Sequence, residues 1–104
     1  MTNQWGILLE VENFVIKRDK NCVYCGVNFS TSEKSRKNRQ SWEHIINDIK
    51  LNGTDNIALC CVSCNASKGN KSLNDWINGS YCKKKQITFE SVSPIVKNHL
   101  LKQF

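Results

Sequence analysis

The sequence is poor in proline, in acidic side chains and in long apolar runs. It has one proline, and nine aspartates and glutamates against fifteen lysines and arginines. No segment approaches the ~20 apolar residues that a membrane-spanning helix needs. Glu10 and Glu12 interrupt the apolar residues near the start, which argues against a signal peptide. We therefore expect a soluble cytoplasmic protein with no membrane partner. The abundance of lysine and asparagine is typical of an AT-rich bacterial or phage genome.

The excess of basic side chains gives the chain a formal net charge of +6. Such an excess favours a polyanionic partner, nucleic acid before an anionic membrane surface. A positive surface that serves only solubility is the alternative that charge by itself leaves open. The basic residues concentrate in three groups: Arg36, Lys37 and Arg39; Lys68 and Lys71; and Lys83, Lys84 and Lys85.

A chain of 104 residues has room for one domain with a thin core. We divide residues 1–104 into an N-terminal helix within 1–20, a central unit over 22–71 and a C-terminal helical extension over 72–104. Helical spacing over 5–18 predicts the first helix, and the polar stretch 28–41 predicts a loop. The predicted apolar face of that helix consists of Ile7, Leu8, Val11, Phe14 and Val15.

Two short apolar runs, SWEHIIN and NIALCC, flank the turn-prone LNGTD. Together they predict an antiparallel hairpin. After Cys61 the pattern becomes helical and ends at Gly69, a residue suited to the end of a helix. The central unit is therefore expected to be a hairpin followed by a short helix.

The C-terminal extension begins with a capping-box pattern, in which Ser72 precedes Asp75 and a short helix. A short strand is expected within residues 81–90. Ser93 as a cap and Pro94 at the first helical position predict a closing helix. On that helix Val96, Leu100 and Phe104 share one face, and His99 is expected to be partly exposed. The tryptophans are assigned to the core: Trp5, Trp42 and Trp76.

Four of the six cysteines form two CxxC pairs, Cys22 with Cys25 and Cys61 with Cys64. A two-residue spacer lets both thiolates turn toward one point, and two such pairs complete a tetrahedron of sulfurs around zinc. In a reducing cytoplasm, paired CxxC motifs indicate metal rather than disulfides. The sequence therefore predicts a structural zinc ion on these four cysteines, which closes a long loop and stabilises a small fold.

Cys60 competes with Cys61 for the metal. Neighbouring residues of a strand point to opposite faces, so only one of the two can turn to the ion. Cys61 gives the regular two-residue spacer, and Cys60 and Cys82 are then predicted to be small buried apolar side chains. A redox role for one CxxC pair is a minor alternative, because the βαβ frame of thioredoxin-like sites is missing.

Between the cysteine pairs, Glu43 stands beside His44, and Asn56 and Asn65 follow. By itself a Glu-His dipeptide is most often a solvated carboxylate beside a surface imidazole. The ordered set CVYC, EHI and DNIALCCVSCNASKG, which spans residues 22–71, resembles the HNH endonucleases, the zinc-stapled branch of the ββα-metal superfamily. The resemblance implies a small α+β fold with a ββα-metal core, stapled by the four-cysteine zinc site and flanked by N- and C-terminal helices.

The resemblance also implies a role for each matching residue. His44 would be the general base that takes a proton from the attacking water. Glu43 and Asn65 would hold a catalytic Mg²⁺ or Mn²⁺ through their oxygens. Asn56 would brace the loop between the strands and help to hold His44, and Lys68 would lie near enough to contact a phosphate.

The sequence departs from the family pattern at two positions. Glu43 stands where an aspartate is more usual, and Asn47 replaces a frequent proline. Neither change removes a chemical group that hydrolysis needs, although the longer Glu43 side chain could alter ion distance or preference.

The implied activity is metal-dependent hydrolysis of phosphodiester bonds in DNA, double-stranded by expectation, as a nick or a cut of both strands. Without a further recognition domain, strong sequence specificity would need a homodimer or the terminal segments. The alternatives are a non-catalytic zinc module that binds nucleic acid and a zinc-stapled protein-interaction domain. The residues expected on the DNA backbone are Arg36, Lys37, Arg39, Lys68 and Lys71.

Overall fold

The computed structural model describes residues 6–30, 36–48 and 50–102. Within them the chain is a small α+β fold with one two-stranded antiparallel sheet and five α-helices. None of the described helices combines the length and the apolar character needed to cross a membrane. The elements follow in the order α1 (Leu9–Arg18), β1 (Gln40–His44), β2 (Ile57–Cys61), α2 (Val62–Lys68), α3 (Leu73–Ile77), α4 (Ser80–Lys85) and α5 (Pro94–Leu101), with a 3₁₀ turn at Arg36–Asn38 before β1.

The predicted hairpin is confirmed, with Gln40 opposite Cys61 and His44 opposite Ile57. Every residue of β2 is buried, because the two faces of the hairpin contact two different apolar clusters. Strand alternation sends Ala58 and Cys60 to one cluster, and Ile57 and Leu59 to the other. The hairpin is therefore the central layer of the fold.

The larger cluster joins the hairpin to the first cysteine pair and to the C-terminal helices. Tyr24 meets Trp76 edge to face with 4.8 Å between ring centroids, and Trp76 stacks on Tyr81 at 5.8 Å. The remaining members include Val23, Ile45, Leu73, Cys82, Ile87, Val92, Val96 and Leu100. The smaller cluster lies between β2 and α1 and contains Ile7, Val15, Ile57 and Leu59.

Helix α1 begins at Leu9, four residues later than the periodicity predicts. Val11 and Val15 face the smaller cluster, four residues apart on one side of the helix. Leu8 and Phe14, which the sequence predicts on the apolar face of this helix, are 47% and 51% exposed. Phe14 lies one position from Val15, and a 100° step around the helix turns its ring toward solvent.

The C-terminal extension is helical where a strand was expected. Residues 80–85 form α4, and the predicted strand within 81–90 is wrong. The chain leaves α4 through Gln86 in the left-handed region at φ 59°, and the Ile87 N–H donates to the Cys82 carbonyl at 2.9 Å. The preceding helix, α3, is capped as predicted, because the Ser72 hydroxyl accepts from the Asp75 N–H at 3.2 Å.

Helix α5 begins with Pro94 as predicted, and Val96 and Leu100 are buried. The Ser93 hydroxyl makes no cap and has no hydrogen-bond partner among the described residues. Instead, the Ser93 N–H donates to the Val23 carbonyl at 2.9 Å and ties α5 to the first cysteine pair. Trp5, assigned to the core, and Phe104, assigned to one face of the closing helix, lie outside the described residues.

Candidate functional site

The two CxxC pairs adopt the same local geometry. In the first, the Cys25 N–H donates to the Cys22 sulfur at 3.4 Å, and Gly26 follows at φ 81°, a left-handed conformation that favours glycine. In the second, Cys61 ends β2 and its sulfur accepts from the Cys64 N–H, also at 3.4 Å. Each pair therefore turns both sulfurs to the same side of its backbone.

The four sulfurs of Cys22, Cys25, Cys61 and Cys64 lie within 4.8 Å of one another. The Cys25 and Cys61 sulfurs are 3.7 Å apart. A zinc–sulfur bond of about 2.3 Å puts the sulfurs of a regular tetrahedron about 3.8 Å apart, so this distance suits a bound zinc ion. The cluster of four cysteines is confirmed, and its donor set fits zinc.

Without a cation, the four neighbouring thiols shift one another's pKa values in opposite directions. Hydrogen bonds from Cys22, Cys61 and Cys64 hold the pKa of Cys25 well below its ordinary value. The interactions with Cys22, Cys25 and Cys61 raise the pKa of Cys64. A divalent ion removes this conflict, because it stabilises all four thiolates at once.

The remaining cysteines do not join the cluster. Cys60 and Cys82 are fully buried, as predicted. Burial raises the pKa of Cys60 well above its ordinary value and that of Cys82 to about 11. The choice of Cys61 over Cys60 as the sulfur that faces the cluster is confirmed.

Glu43 points into the larger core. Its carboxylate oxygen Oε2 accepts a hydrogen bond from the Tyr24 hydroxyl at 2.5 Å and lies 3.2 Å from Lys68 Nζ. The side chains of Glu43 and Lys68 are 6% and 1% exposed. Burial, followed by the charge of Glu43, raises the pKa of Tyr24 well above its ordinary value. The hydroxyl therefore stays protonated and donates a hydrogen bond to Glu43.

His44 points away from this ion pair and is half-buried at the end of β1. Its Nε2 lies 2.7 Å from Asn52 Oδ1, and Asn52 Nδ2 donates to the Gly6 carbonyl at 3.3 Å. With the amide in this orientation, Oδ1 accepts and Nε2 carries the proton. The lone pair of the neutral imidazole is therefore on Nδ1, which makes no hydrogen bond within the part of the chain that the structure describes.

Asn56 bridges the two ends of the loop between β1 and β2. Its Oδ1 accepts from the Ile46 N–H at 2.7 Å, and its Nδ2 donates to the Ile46 and Leu51 carbonyls at 3.1 and 3.0 Å. The Asn56 carbonyl accepts from the Ile45 N–H at 3.0 Å. The buried amide therefore has the position that the bracing role requires.

Asn65, on α2, makes contacts that do not involve Glu43 or His44. Its Nδ2 donates to the Ser41 hydroxyl and to the Trp42 carbonyl, both at 3.0 Å. No hydrogen bond or ion pair joins Asn65, Glu43 and His44 to one another in residues 6–30, 36–48 and 50–102. Because Lys68 Nζ lies against the Glu43 carboxylate, a divalent ion on Glu43 and Asn65 would have to displace the ammonium.

The basic residues assigned to DNA fall into different environments. Lys37 and Arg39 are exposed around the 3₁₀ turn, and the side chain of Arg36 lies outside the described part of the chain. Lys71 is exposed, and its Nζ donates to the Ser67 carbonyl at 3.0 Å. Lys68 is buried, with its Nζ against the Glu43 carboxylate rather than at the surface, and its contact with a phosphate stays a prediction.

Four residues that support the site were not predicted from the sequence. Tyr24 lies inside the first CxxC spacer, and Asn52 lies in the turn-prone loop. Arg18 ends α1 and donates to the carbonyls of Thr54 and Ile57. His99 was expected to be partly exposed, but it is only 7% exposed. Its Nε2 lies 2.6 Å from the Asp55 carbonyl oxygen. None of these contacts has a local signal, because the partners are between 8 and 44 positions apart along the chain.

Comparison of the chain with protein-family models, with curated proteins and with solved structures finds no match. The resemblance to the HNH endonucleases stays a prediction from the motifs within residues 22–71.

Proposed function

We propose that the chain is a DNA endonuclease of the HNH type, in which His44 is the general base. The observation that carries the proposal is the hydrogen bond between His44 Nε2 and Asn52 Oδ1. It orients a half-buried imidazole beside the loop of a hairpin whose far end holds the four-cysteine cluster. The element order β1, β2, α2, with one cysteine pair before the hairpin and one after it, agrees with a ββα-metal core.

The proposed chemistry uses the lone pair on His44 Nδ1. As a water oxygen attacks the phosphorus atom, Nδ1 accepts a proton from that water. One ester P–O bond breaks, and the leaving oxygen takes a proton from solvent water. A positioned general base typically raises the rate by a factor of about 10²–10⁴. A zinc ion held by Cys22, Cys25, Cys61 and Cys64 would have all its positions filled by sulfur, so its role would be structural.

A catalytic Mg²⁺ or Mn²⁺ would stabilise negative charge on the phosphate and on the leaving oxygen. Glu43 and Asn65 offer a carboxylate and an amide oxygen of the kind that such ions prefer. Since Lys68 holds the Glu43 carboxylate, use of Glu43 as a ligand requires the ion to replace the ammonium. No part of the proposed proton transfer depends on this exchange.

A second candidate is a zinc module that binds nucleic acid without cutting it. The buried Glu43–Lys68 pair favours it, because a carboxylate with a permanent cationic partner needs no metal ion. Exposed Lys37, Arg39 and Lys71 would supply electrostatic contacts to phosphates in either case.

The experiment is cleavage of supercoiled plasmid by the zinc-loaded protein, with Mg²⁺, with Mn²⁺ and with EDTA added just before the reaction. We compare the wild type with His44→Ala and with His99→Gln, which alters the other histidine but keeps a donor. Nicked or linear product that falls at least 100-fold in His44→Ala supports the proposal. Equal cleavage by wild type and His44→Ala contradicts the role of His44, and retarded but uncut DNA under every ion favours the binding module.

A further inference from the structure

Two residues outside the 22–71 unit hold the last turn of the loop that joins β1 to β2. From α1, Arg18 donates through Nη1 to the Thr54 carbonyl and through Nη2 to the Ile57 carbonyl, each at 2.7 Å. From α5, His99 Nε2 lies 2.6 Å from the Asp55 carbonyl oxygen. We name Arg18 and His99 the loop clamp.

The Arg18 arm of the loop clamp is itself fixed. Its Nε and Nη2 donate to the two carboxylate oxygens of Asp19 at 2.8 and 2.9 Å, which is a bidentate pair. Asp19 is buried and also accepts from the Leu59 N–H at 3.0 Å. The guanidinium is therefore held against β2 while it reaches the loop.

The His99 arm is buried, and its donor atom is defined by its partner. A carbonyl oxygen only accepts, so the nitrogen that faces Asp55 carries a proton. Val96 and Leu100, on the same helix, are packed in the larger core and fix the position of the ring. Breaking this contact would leave the Asp55 carbonyl, which is part-buried in this contact, without its donor from α5.

The clamped turn is continuous with the contacts that orient His44. Asn56 follows Asp55 and binds Ile46 through both ends of its amide. Asn52, three residues before Asp55, accepts the hydrogen bond from His44 Nε2. Release of the Asp55 carbonyl would therefore loosen the segment that carries the imidazole's only hydrogen-bond partner among the described residues.

We propose that Arg18 and His99 are positioning residues for His44, so that the terminal helices fix the orientation of the imidazole through the loop. The expected effect on rate depends on the proposed nuclease function. The expected effect on the loop and on the imidazole does not.

The test uses the full zinc-loaded chain and four variants. His99→Phe keeps a ring but has no donor, His99→Asn has a donor that is too short to reach, and His99→Gln keeps a donor of similar reach. Asn98→Ala is the control, because Asn98 is an exposed neighbour on the same helix. Three quantities are measured: amide hydrogen exchange at Ile46, the imidazole ¹⁵N shifts of His44, and kcat and KM for plasmid cleavage.

We expect exchange at Ile46 to accelerate at least tenfold in His99→Phe and His99→Asn, with loss of the Nε2–H signature of His44. A small misplacement of a catalytic group can lower the reaction rate about 10²-fold. We therefore expect kcat to fall by about 10–100-fold while KM changes less than twofold. His99→Gln should recover most of each loss, and Asn98→Ala should match the wild type.

Wild-type exchange and wild-type His44 shifts in both His99→Phe and His99→Asn would overturn the inference. If the wild type does not cut DNA, the proposed function fails, but exchange and the His44 shifts still decide whether the clamp exists. If neither His99 variant folds, Arg18→Lys tests the other arm, because lysine keeps the charge and cannot reach two carbonyls while bound to Asp19. The same loosening is expected, and wild-type behaviour would again overturn the inference.

Discussion

Replacing Lys68 by methionine tests the buried ion pair that α2 makes with β1. Methionine keeps most of the apolar stem and removes the ammonium, which lies 3.2 Å from the Glu43 carboxylate. Loss of one partner from a buried pair costs about 3–5 kcal/mol, because the other charge is left without compensation. Glu43 keeps the hydrogen bond from Tyr24, so we expect the lower end, a loss of about 3 kcal/mol in the free energy of unfolding.

The loss is measurable by urea unfolding, followed by tryptophan fluorescence at a fixed concentration of free zinc. Free zinc must be fixed because an ion that binds only the folded state adds to apparent stability. With a typical slope of about 1–3 kcal/mol per molar urea, a loss of about 3 kcal/mol lowers the midpoint by about 1–3 M. Lys71→Met is the matched control, since Lys71 is exposed, and it should change stability by no more than about 0.5 kcal/mol.

A double variant separates the charge from the packing. Glu43→Gln combined with Lys68→Met removes both charges but keeps an acceptor for Tyr24, so it should recover most of the loss seen in Lys68→Met. If Lys68→Met costs less than about 1 kcal/mol, the buried pair is not a structural contact in solution. Glu43 would then be free to bind a metal ion.

Two further predictions concern the cysteine cluster and the loop. Cys61→Ser should abolish stoichiometric zinc binding, whereas Cys60→Ala should retain one zinc per chain, as measured by elemental analysis. Equal zinc content in the two variants would refute the assignment of Cys61 as a ligand. Asn56→Ala removes three hydrogen bonds and should lower the free energy of unfolding by about 2–4 kcal/mol in the same urea assay. A decrease of less than about 1 kcal/mol in the free energy of unfolding would show that other contacts stabilise the loop.

The parts of the fold that sequence could predict are those with a local physical cause. A two-residue spacer brings two sulfurs to one side at each CxxC pair, wherever the pair lies in a fold. The hairpin follows from two short apolar runs around a turn. The end of α2 follows from Gly69, which adopts φ 52°, and the start of α3 follows from the Ser72 hydroxyl.

The parts that sequence could not predict depend on partners far along the chain. Lys68 has the composition of a surface residue, and only the packing of α2 against β1 places it beside Glu43, 25 positions earlier. His99 is buried because α5 lies against a loop whose Asp55 carbonyl is 44 positions away. Helix α4 was missed because its lysines give no apolar periodicity, and its burial depends on Cys82.

The larger apolar cluster limits how the central segment could be transplanted. It draws Val23, Ala58 and Cys60 from residues 22–71, and Trp76, Val96 and Leu100 from beyond them. A fragment that ends at residue 71 would expose one face of its hairpin to water while keeping all four cysteines of the cluster. Grafting the motif into another protein should therefore yield a metal-loaded but loosely packed insert, unless the host supplies an apolar cover in place of the three C-terminal helices.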